Sequence, residues 1–159
     1  MATWLSGILI EKRNPMLLSS WKQIKYFTPE EFEDPLFPGS GVHINALTVL
    51  LLDKLRTTIN CPIIIHRKAG GAVDMQGKHG HAPNSYHLLD RGCRAADCHI
   101  ETFMNIREQY NRVCQAGFSG IGVYLYGAHK VWFHLDTRPI TETQHWICKR
   151  PGQYDYFLP

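Results

Sequence analysis

Residues 120–136 have the sequence GIGVYLYGAHKVWFHLD, in which two short β-branched and aromatic segments flank a Gly-Ala-His turn. Such segments are typical of β-strands, and the short turn predicts that GIGVYLY and KVWFHLD pair antiparallel. Alternate side chains of a strand share one face. Trp132, His134 and Asp136 should therefore lie together, opposite the apolar side chains that face the core.

The segment RAADCHI (94–100) predicts a further strand, which places Asp97 on the face opposite the apolar side chain of Cys98. His87 lies just upstream, in NSYHLLDRG. His87, Asp97 and His134 together predict a metal site, and three protein ligands with a fourth position open are typical of catalytic zinc. Any one of these histidines alone is better explained as an ordinary surface or core residue.

The remaining patterns complete a single α+β domain. Strands and helices are segregated along the chain, which favours a mainly antiparallel central sheet with helices packed on one side. We expect an N-terminal extension at residues 1–25 and one domain at residues 26–159. A short helix is predicted from TPEE (28–31) through Phe32, and a second helix is capped by Asn45 and directs Leu47, Leu50, Leu51 and Leu55 towards the core. A third helix is predicted from about Thr102 to Gly117, with Phe103, Ile106, Tyr110 and Val113 on one face. The remaining strands are a buried one at PIIIH (62–66) and one at QYDYFL.

Composition excludes several classes of protein. The chain has 159 residues, 44% hydrophobic and 19% charged, which excludes general disorder. Its five cysteines form no C-x-x-C pair, so neither a thiolate zinc ribbon nor a disulfide framework is expected. No segment has the length of a membrane span, and the N-terminal apolar stretch has no basic residue before it, so no secretory signal is expected. A net charge of +3 does not by itself indicate nucleic acid, and we expect a monomer.

The string S85-Y-H87-L-L-D-R-G92-C-R-A95-A-D97 resembles the S-x-H-x-x-G-x-A-x-D signature of zinc D-alanyl-D-alanine carboxypeptidases and their phage L-alanyl-D-glutamate endopeptidase relatives. GIGVYLYGAHKVWFHLDTRP is similar to the second motif of that family, and the two motifs follow an F-T-P-E-E-F opening and a Leu-rich helix in the family order. The likeness covers roughly residues 26–157. It implies a hedgehog/DD-peptidase-like fold, with Zn²⁺ held by His87, Asp97 and His134 and with peptidoglycan stem peptides as the partner.

The resemblance also implies roles for residues around the metal. Arg67 matches the family arginine that contacts the substrate peptide, although a solvated loop cation explains it equally well. Ser85 is a candidate substrate-binding residue, or a brace for its loop. Asp136 and His129 are the candidates for acid–base catalysis, and Asp136 has the alternative role of orienting a ligand histidine.

Three departures from the family pattern bear on these roles. His87 and Asp97 are ten residues apart, where the family usually has seven, and Cys93 in this insertion is either a free thiol or a neighbour of the metal. The positions where relatives carry a catalytic acid or histidine hold Val131 and Trp132, which cannot transfer a proton. Ile65 and the following histidine replace the expected Ser-Gly before the arginine. His79 and His81 either line the cleft or are merely exposed.

The sequence is compatible with three functions. The leading hypothesis is a zinc-dependent metallopeptidase, a carboxypeptidase or endopeptidase acting on bacterial cell-wall peptidoglycan. The alternative is a non-catalytic zinc-containing peptidoglycan-binding module on the same fold. A nucleic-acid binder or nuclease ranks last, because no basic cluster interleaved with aromatic residues is present. A compact domain without wall-binding repeats would suit a phage or prophage product.

Overall fold

The computed structural model describes residues 17–159, together with the backbone of two short paired strands near the N-terminus. The two α-helices and the strands are numbered here in chain order. They are β1 (Trp4–Leu5), β2 (Ile8–Leu9), α1 (Ala46–Ile59), β3 (Ile63–Ile65), β4 (Ala95–Ile100), α2 (Ile106–Ala116), β5 (Gly120–Tyr124), β6 (Trp132–Asp136), β7 (Gln144–Arg150) and β8 (Gln153–Phe157). Residues 1–3, 6–7 and 10–16 of the predicted N-terminal extension lie outside the described residues.

Strands β3 to β8 form one mixed sheet in the order β3-β4-β6-β5-β7-β8. The neighbours β3–β4, β4–β6, β6–β5 and β7–β8 are antiparallel, whereas β5 and β7 run parallel. The α+β class is confirmed, but the sheet is mixed. The parallel pair arises because β7, which the sequence analysis did not predict, adds beside β5 after the chain has crossed from β6.

Both helices contribute to one hydrophobic core with the apolar face of the sheet. Leu52 of α1 and Val113 of α2 belong to the same buried cluster as Cys98 of β4, Ile121 of β5 and Phe133 of β6. The alternation predicted for β4 and β6 therefore sends their apolar side chains to the helices. Asp97 and His134 consequently lie on the other face of the sheet.

Helix α1 begins where Asn45 predicts, because its Oδ1 accepts a hydrogen bond from the Leu47 amide at 3.0 Å. Its buried face differs from the predicted leucine stripe, since Val49 and Leu52 are fully buried. Thr48 explains the rotation, because its hydroxyl donates to the Arg94 carbonyl at 2.8 Å and so turns this face towards β4. Of the predicted stripe only Leu55 is fully buried, and Leu47, Leu50 and Leu51 are partly exposed.

Other predicted elements are shifted at their ends. TPEE forms a single 3-10 turn, Pro29–Glu31, rather than a longer helix. Strand β3 is an edge strand with Ile64 partly exposed, not a fully buried strand. Helix α2 begins only at Ile106, because Asn105 and Glu108 form a capping box there, and Phe103 lies outside it, fully exposed.

All five cysteines are free thiols, and three of them are buried. Within the described part of the chain, no helix has the length and apolar character that a membrane crossing requires.

Candidate metal centre

His87, Asp97 and His134 converge on a single point, as the sequence predicts. His87 Nε2 lies 3.2 Å from Asp97 Oδ1 and 3.2 Å from His134 Nδ1, and His134 Nδ1 lies 2.9 Å from Asp97 Oδ1. Ligand atoms of a tetrahedral ion with bonds of about 2.0–2.1 Å are about 3.3 Å apart. The three atoms therefore already form a triangle close to the size of one face of such a tetrahedron.

The sheet register produces this convergence. Asp97 of β4 is directly opposite His134 of β6, and His134 is opposite Gly122 of β5. His87 comes from the loop before β4 and is almost fully buried beneath the two strands. Strand pairing alone thus fixes two of the three ligand positions, and the loop supplies the third.

The outer nitrogen of each histidine is committed to an acceptor. His87 Nδ1–H donates to the Ala72 carbonyl at 2.8 Å, and His134 Nε2–H donates to the Asp136 carboxylate at 3.0 Å. With those protons placed, His87 Nε2 and His134 Nδ1 both direct lone pairs at Asp97 Oδ1 when the two rings are neutral. Three lone pairs at this separation repel one another unless a proton on one imidazole or a metal cation lies between them.

The pKa values of Asp97 and His134 are shifted in the directions that favour positive charge at this site. Burial opposes ionisation of Asp97, but the neighbouring His87 and His134 hold the pKa of its carboxyl well below the usual range. Burial likewise opposes protonation of His134, but its hydrogen bonds to Asp136 and Asp97 outweigh this and raise the pKa of His134 to about 9. The site therefore favours positive charge at its centre.

The three extra residues between His87 and Asp97 are absorbed without separating the ligands. Leu89–Arg91 forms a 3-10 turn, and Gly92 and Cys93 follow with φ of 82° and 45°. Cys93 is fully buried in the hydrophobic core, and burial raises the pKa of its thiol to about 12. It is thus a protonated core thiol rather than a neighbour of the candidate metal site.

His81 lies against the triad, since its ring stacks on that of His87 with centroids 4.2 Å apart. Its Nδ1 is 2.8 Å from Oδ2 of the buried Asp74, whose Oδ1 accepts from the Gly77 amide at 2.7 Å. No hydrogen bond from residues 17–159 occupies His81 Nε2. His81 is therefore held by a fixed carboxylate, with one nitrogen left for the cavity.

The triad lies in a cavity of about 580 Å³ with aromatic and polar walls. Ser85 lines it, as proposed for a substrate-binding residue, and its hydroxyl also accepts a long bond of 3.4 Å from the His87 amide. Seven of the lining residues are aromatic: Tyr86, Tyr124, Tyr126, Trp132, Trp146, Tyr154 and Tyr156.

The three predicted catalytic residues occupy different places. Asp136 is completely buried and bonded to His134 and Arg138, so its geometry matches the orienting alternative. His129 stacks on His99 with centroids 3.8 Å apart, and Arg67 pairs with Glu33. Arg67 and His129 line a neighbouring cavity of about 700 Å³ rather than the one that holds the triad.

Arg138 is a residue of the site that was not predicted from the sequence, and its side chain lines the triad cavity. Its Nε–H donates to Asp136 Oδ1 at 2.9 Å, and its guanidinium lies 5.0 Å from the Tyr86 ring centroid. Alternation along the chain could have identified it, because Arg138 continues the pattern of His134 and Asp136. The arginine that lines the triad cavity is therefore not the one that the resemblance suggests.

Several groups of histidine and aspartate side chains in the described residues could hold a metal ion. The first group joins His81 to His87 and Asp97, two residues of the triad. The second group is His66, His99 and His129, and the third is Asp34, Asp74 and His79. In the third group the carboxylates are occupied by backbone amides, as in Asp34 Oδ2 with the Met75 amide at 2.9 Å. The Asp34 and Asp74 carboxylates therefore hold in place the loop that contains Met75 and Gly77.

Comparison of the chain with protein-family models, with curated proteins and with solved structures gives no match. The site must therefore be interpreted from its own geometry.

Proposed function

We propose that this chain is a zinc-dependent peptidase that hydrolyses peptide bonds of bacterial cell-wall peptidoglycan. The observation that carries the proposal is the triangle of His87 Nε2, Asp97 Oδ1 and His134 Nδ1, with sides of 2.9–3.2 Å. Two imidazoles and one carboxylate with an open fourth position are one of the ligand sets of catalytic zinc. The order of the two ligand motifs, similar to that of the zinc D-alanyl-D-alanine carboxypeptidases, supports the assignment.

His87, Asp97 and His134 would hold the ion, and the Ala72 carbonyl and Asp136 would orient the two imidazoles. When bound, zinc supplies a Lewis acid towards a peptide carbonyl and towards a water molecule. The remaining requirement of hydrolysis is a side chain that accepts a proton and returns it to the leaving amine.

We assign this proton transfer to His81 in preference to Asp136 or His129. Asp136 is enclosed by His134 and Arg138 and has no exposed surface. His81 lies in the cavity, in contact with His87, with Nδ1 held by Asp74 and Nε2 available. A histidine oriented by a buried carboxylate is a common arrangement for moving protons near neutral pH.

The cavity walls support a peptide as substrate. A volume of about 580 Å³ accommodates a few residues of an extended peptide, and Ser85, Asn84 and Arg138 supply hydrogen-bonding groups along it. The net charge of +3 favours approach to an anionic polymer such as the cell wall.

The test is hydrolysis of purified muropeptides by the zinc-loaded protein, followed by mass spectrometry of the released fragments. His134→Ala should abolish cleavage, and His81→Gln should lower kcat by about 10²–10⁴-fold while zinc content stays at the wild-type level. His43→Ala, outside the site, serves as the matched control and should cleave at the wild-type rate.

Undiminished cleavage by His134→Ala would overturn the proposal. Zinc-dependent binding of muropeptides without any cleavage would instead identify the non-catalytic peptidoglycan-binding module. Wild-type activity of His81→Gln would refute the role of His81 alone.

A further inference from the structure

A second histidine cluster lies beside the candidate metal centre and takes no part in it. His66 follows β3, His99 lies on β4, and His129 lies in the exposed turn between β5 and β6. His66 Nε2 is 3.0 Å from His99 Nδ1, and the His129 ring stacks on His99 at 3.8 Å and on His66 at 4.9 Å. Three imidazoles from three separate segments thus meet at one place.

We propose that His66, His99 and His129 bind a second transition-metal ion. One nitrogen from each ring lies within 4.8 Å of the other two. The 3.0 Å separation of His66 Nε2 and His99 Nδ1 is close to the spacing of about 3.3 Å for two ligands on a tetrahedral ion. His129 completes the set by rotating its ring, which its exposed turn permits.

The ligand chemistry defines the class of ion. Imidazole suits Zn²⁺, Cu²⁺ and Ni²⁺, whereas Mg²⁺ and Ca²⁺ require oxygen ligands. Three histidines leave a fourth position for water or another small ligand, on the side of the 700 Å³ cavity that these residues help to line.

The second ion would be separate from the first. Asp97 and His99 are two residues apart on one face of β4, which corresponds to about 6.6 Å along the strand. Ions that act together on one substrate lie about 3.5–4 Å apart. The cluster therefore forms an independent site that ties the β5–β6 turn to β3 and β4.

Such a tie would stabilise one wall of the triad cavity. His66 lines both cavities, and its ring lies 5.6 Å from that of Trp132, an aromatic residue of the triad cavity. An ion at the cluster would fix the position of His66, and through it the adjacent wall that Trp132 helps to form.

The experiment is equilibrium dialysis of the full chain, without an affinity tag, against Zn²⁺, followed by elemental analysis. The wild-type protein should hold two equivalents, His87→Ala and His99→Ala one each, and the double variant none. His129→Ala should lower the affinity of the second site for Zn²⁺ at least tenfold. Because this substitution lies in an exposed turn, it still tests the inference if His99→Ala fails to fold. His43→Ala should keep both ions.

Copper distinguishes this cluster from the triad. With Cu²⁺ bound to His87→Ala, the electron paramagnetic resonance spectrum should show nitrogen couplings that change in His87→Ala/His129→Ala. The inference would be overturned if the wild-type protein held one equivalent of Zn²⁺ and His87→Ala held none. It would also be overturned if the His87→Ala/His99→Ala variant still held an ion. Absence of hydrolysis leaves these stoichiometries unaffected, so the two proposals fail separately.

Discussion

Asp136 controls the tautomer of His134. Its carboxylate accepts the Nε2 proton, so that in the neutral ring the Nδ1 lone pair faces His87 and Asp97, and Arg138 balances the buried charge of Asp136. A carboxylate in this position raises the basicity of a ligand histidine as well as orienting it. The proposed ligand set therefore depends on a residue that does not itself reach the ion.

Asp136→Asn should lower zinc affinity by about 10–100-fold, because a neutral amide is a weaker acceptor for the His134 proton. Competition with a chromophoric chelator measures the change. Asp155→Asn, an exposed site on β8, is the matched control and should bind zinc as the wild type does. Equal affinity of Asp136→Asn and the wild type would show that Asp136 does not orient His134.

His145 should make stability depend on pH. It is buried on β7 beside Tyr110, whose hydroxyl oxygen lies 2.8 Å from its Nδ1, and burial lowers the pKa of His145 below its ordinary 6.5. As pH falls below about 6.5, the unfolded chain takes up a proton at this residue before the folded chain does. The free energy of unfolding should therefore decrease towards acidic pH.

His145→Gln should reduce that decrease, measured by urea unfolding at pH 7.5 and pH 5.5. Ile147→Val, on the same strand, should shift the free energy of unfolding equally at both pH values. Identical pH dependence of His145→Gln and the wild type would contradict the assignment.

Strand β5 shows why glycine is required beside the site. A Cβ atom on Gly120 would lie 2.4 Å from both carboxylate oxygens of Asp136, and one on Gly122 would lie 2.4 Å from the Trp146 ring. Because Arg138 and His134 hold Asp136 in place, its carboxylate cannot move away without breaking those bonds. The GIG sequence is thus a steric condition for the geometry of the candidate metal centre.

Gly120→Ala should destabilise the fold by about 1–3 kcal/mol, the usual cost of overpacking a core. In an Asp136→Ala background the same substitution should cost much less, since the opposing carboxylate has been removed. A double-mutant cycle by urea unfolding measures this coupling. Additive free energies would show that the two side chains do not conflict.

Helix α1 offers a direct test of its buried face. Leu52→Ala should lower the free energy of unfolding by about 2–5 kcal/mol, because Leu52 has no exposed surface. Leu47→Ala, the matched control, should cost less than half as much, since Leu47 is partly exposed. A larger loss of unfolding free energy for Leu47→Ala than for Leu52→Ala would show that the predicted leucine stripe is the buried face. Chemical denaturation measures both.

For the whole molecule, alternation within strands predicted the site better than periodicity predicted the helices. Period-two alternation placed Asp97 and His134 correctly, because a strand residue has only two faces to choose between. The buried face of α1 depends on the tertiary bond from Thr48 to Arg94, which local pattern does not contain. Strand β7 was missed because its polar residues, such as His145, are buried by partners distant in the chain.

The loop before β4 joins the candidate metal centre to the rest of the fold. It is attached to the sheet by bonds from the Asp97 amide to the Gly71 carbonyl at 2.6 Å and from the Arg94 amide to the Tyr86 carbonyl at 2.7 Å. Between these attachments it carries His81, and His87 follows directly after the second one. Both histidines approach the site through their side chains. A metal ion bound by His87 would therefore add a third attachment.

Zinc should slow amide hydrogen exchange in residues 79–88, by up to about a hundredfold at a free concentration one hundred times the dissociation constant. This follows because any opening that removes His87 from the site must also release the ion. Mass spectrometry of peptic peptides with and without zinc measures the effect. His87→Ala should abolish the slowing in this segment, whereas His43→Ala should retain it. Equal protection in His87→Ala and the wild type would mean that the loop does not bind the ion, and the triad would then lose its third ligand.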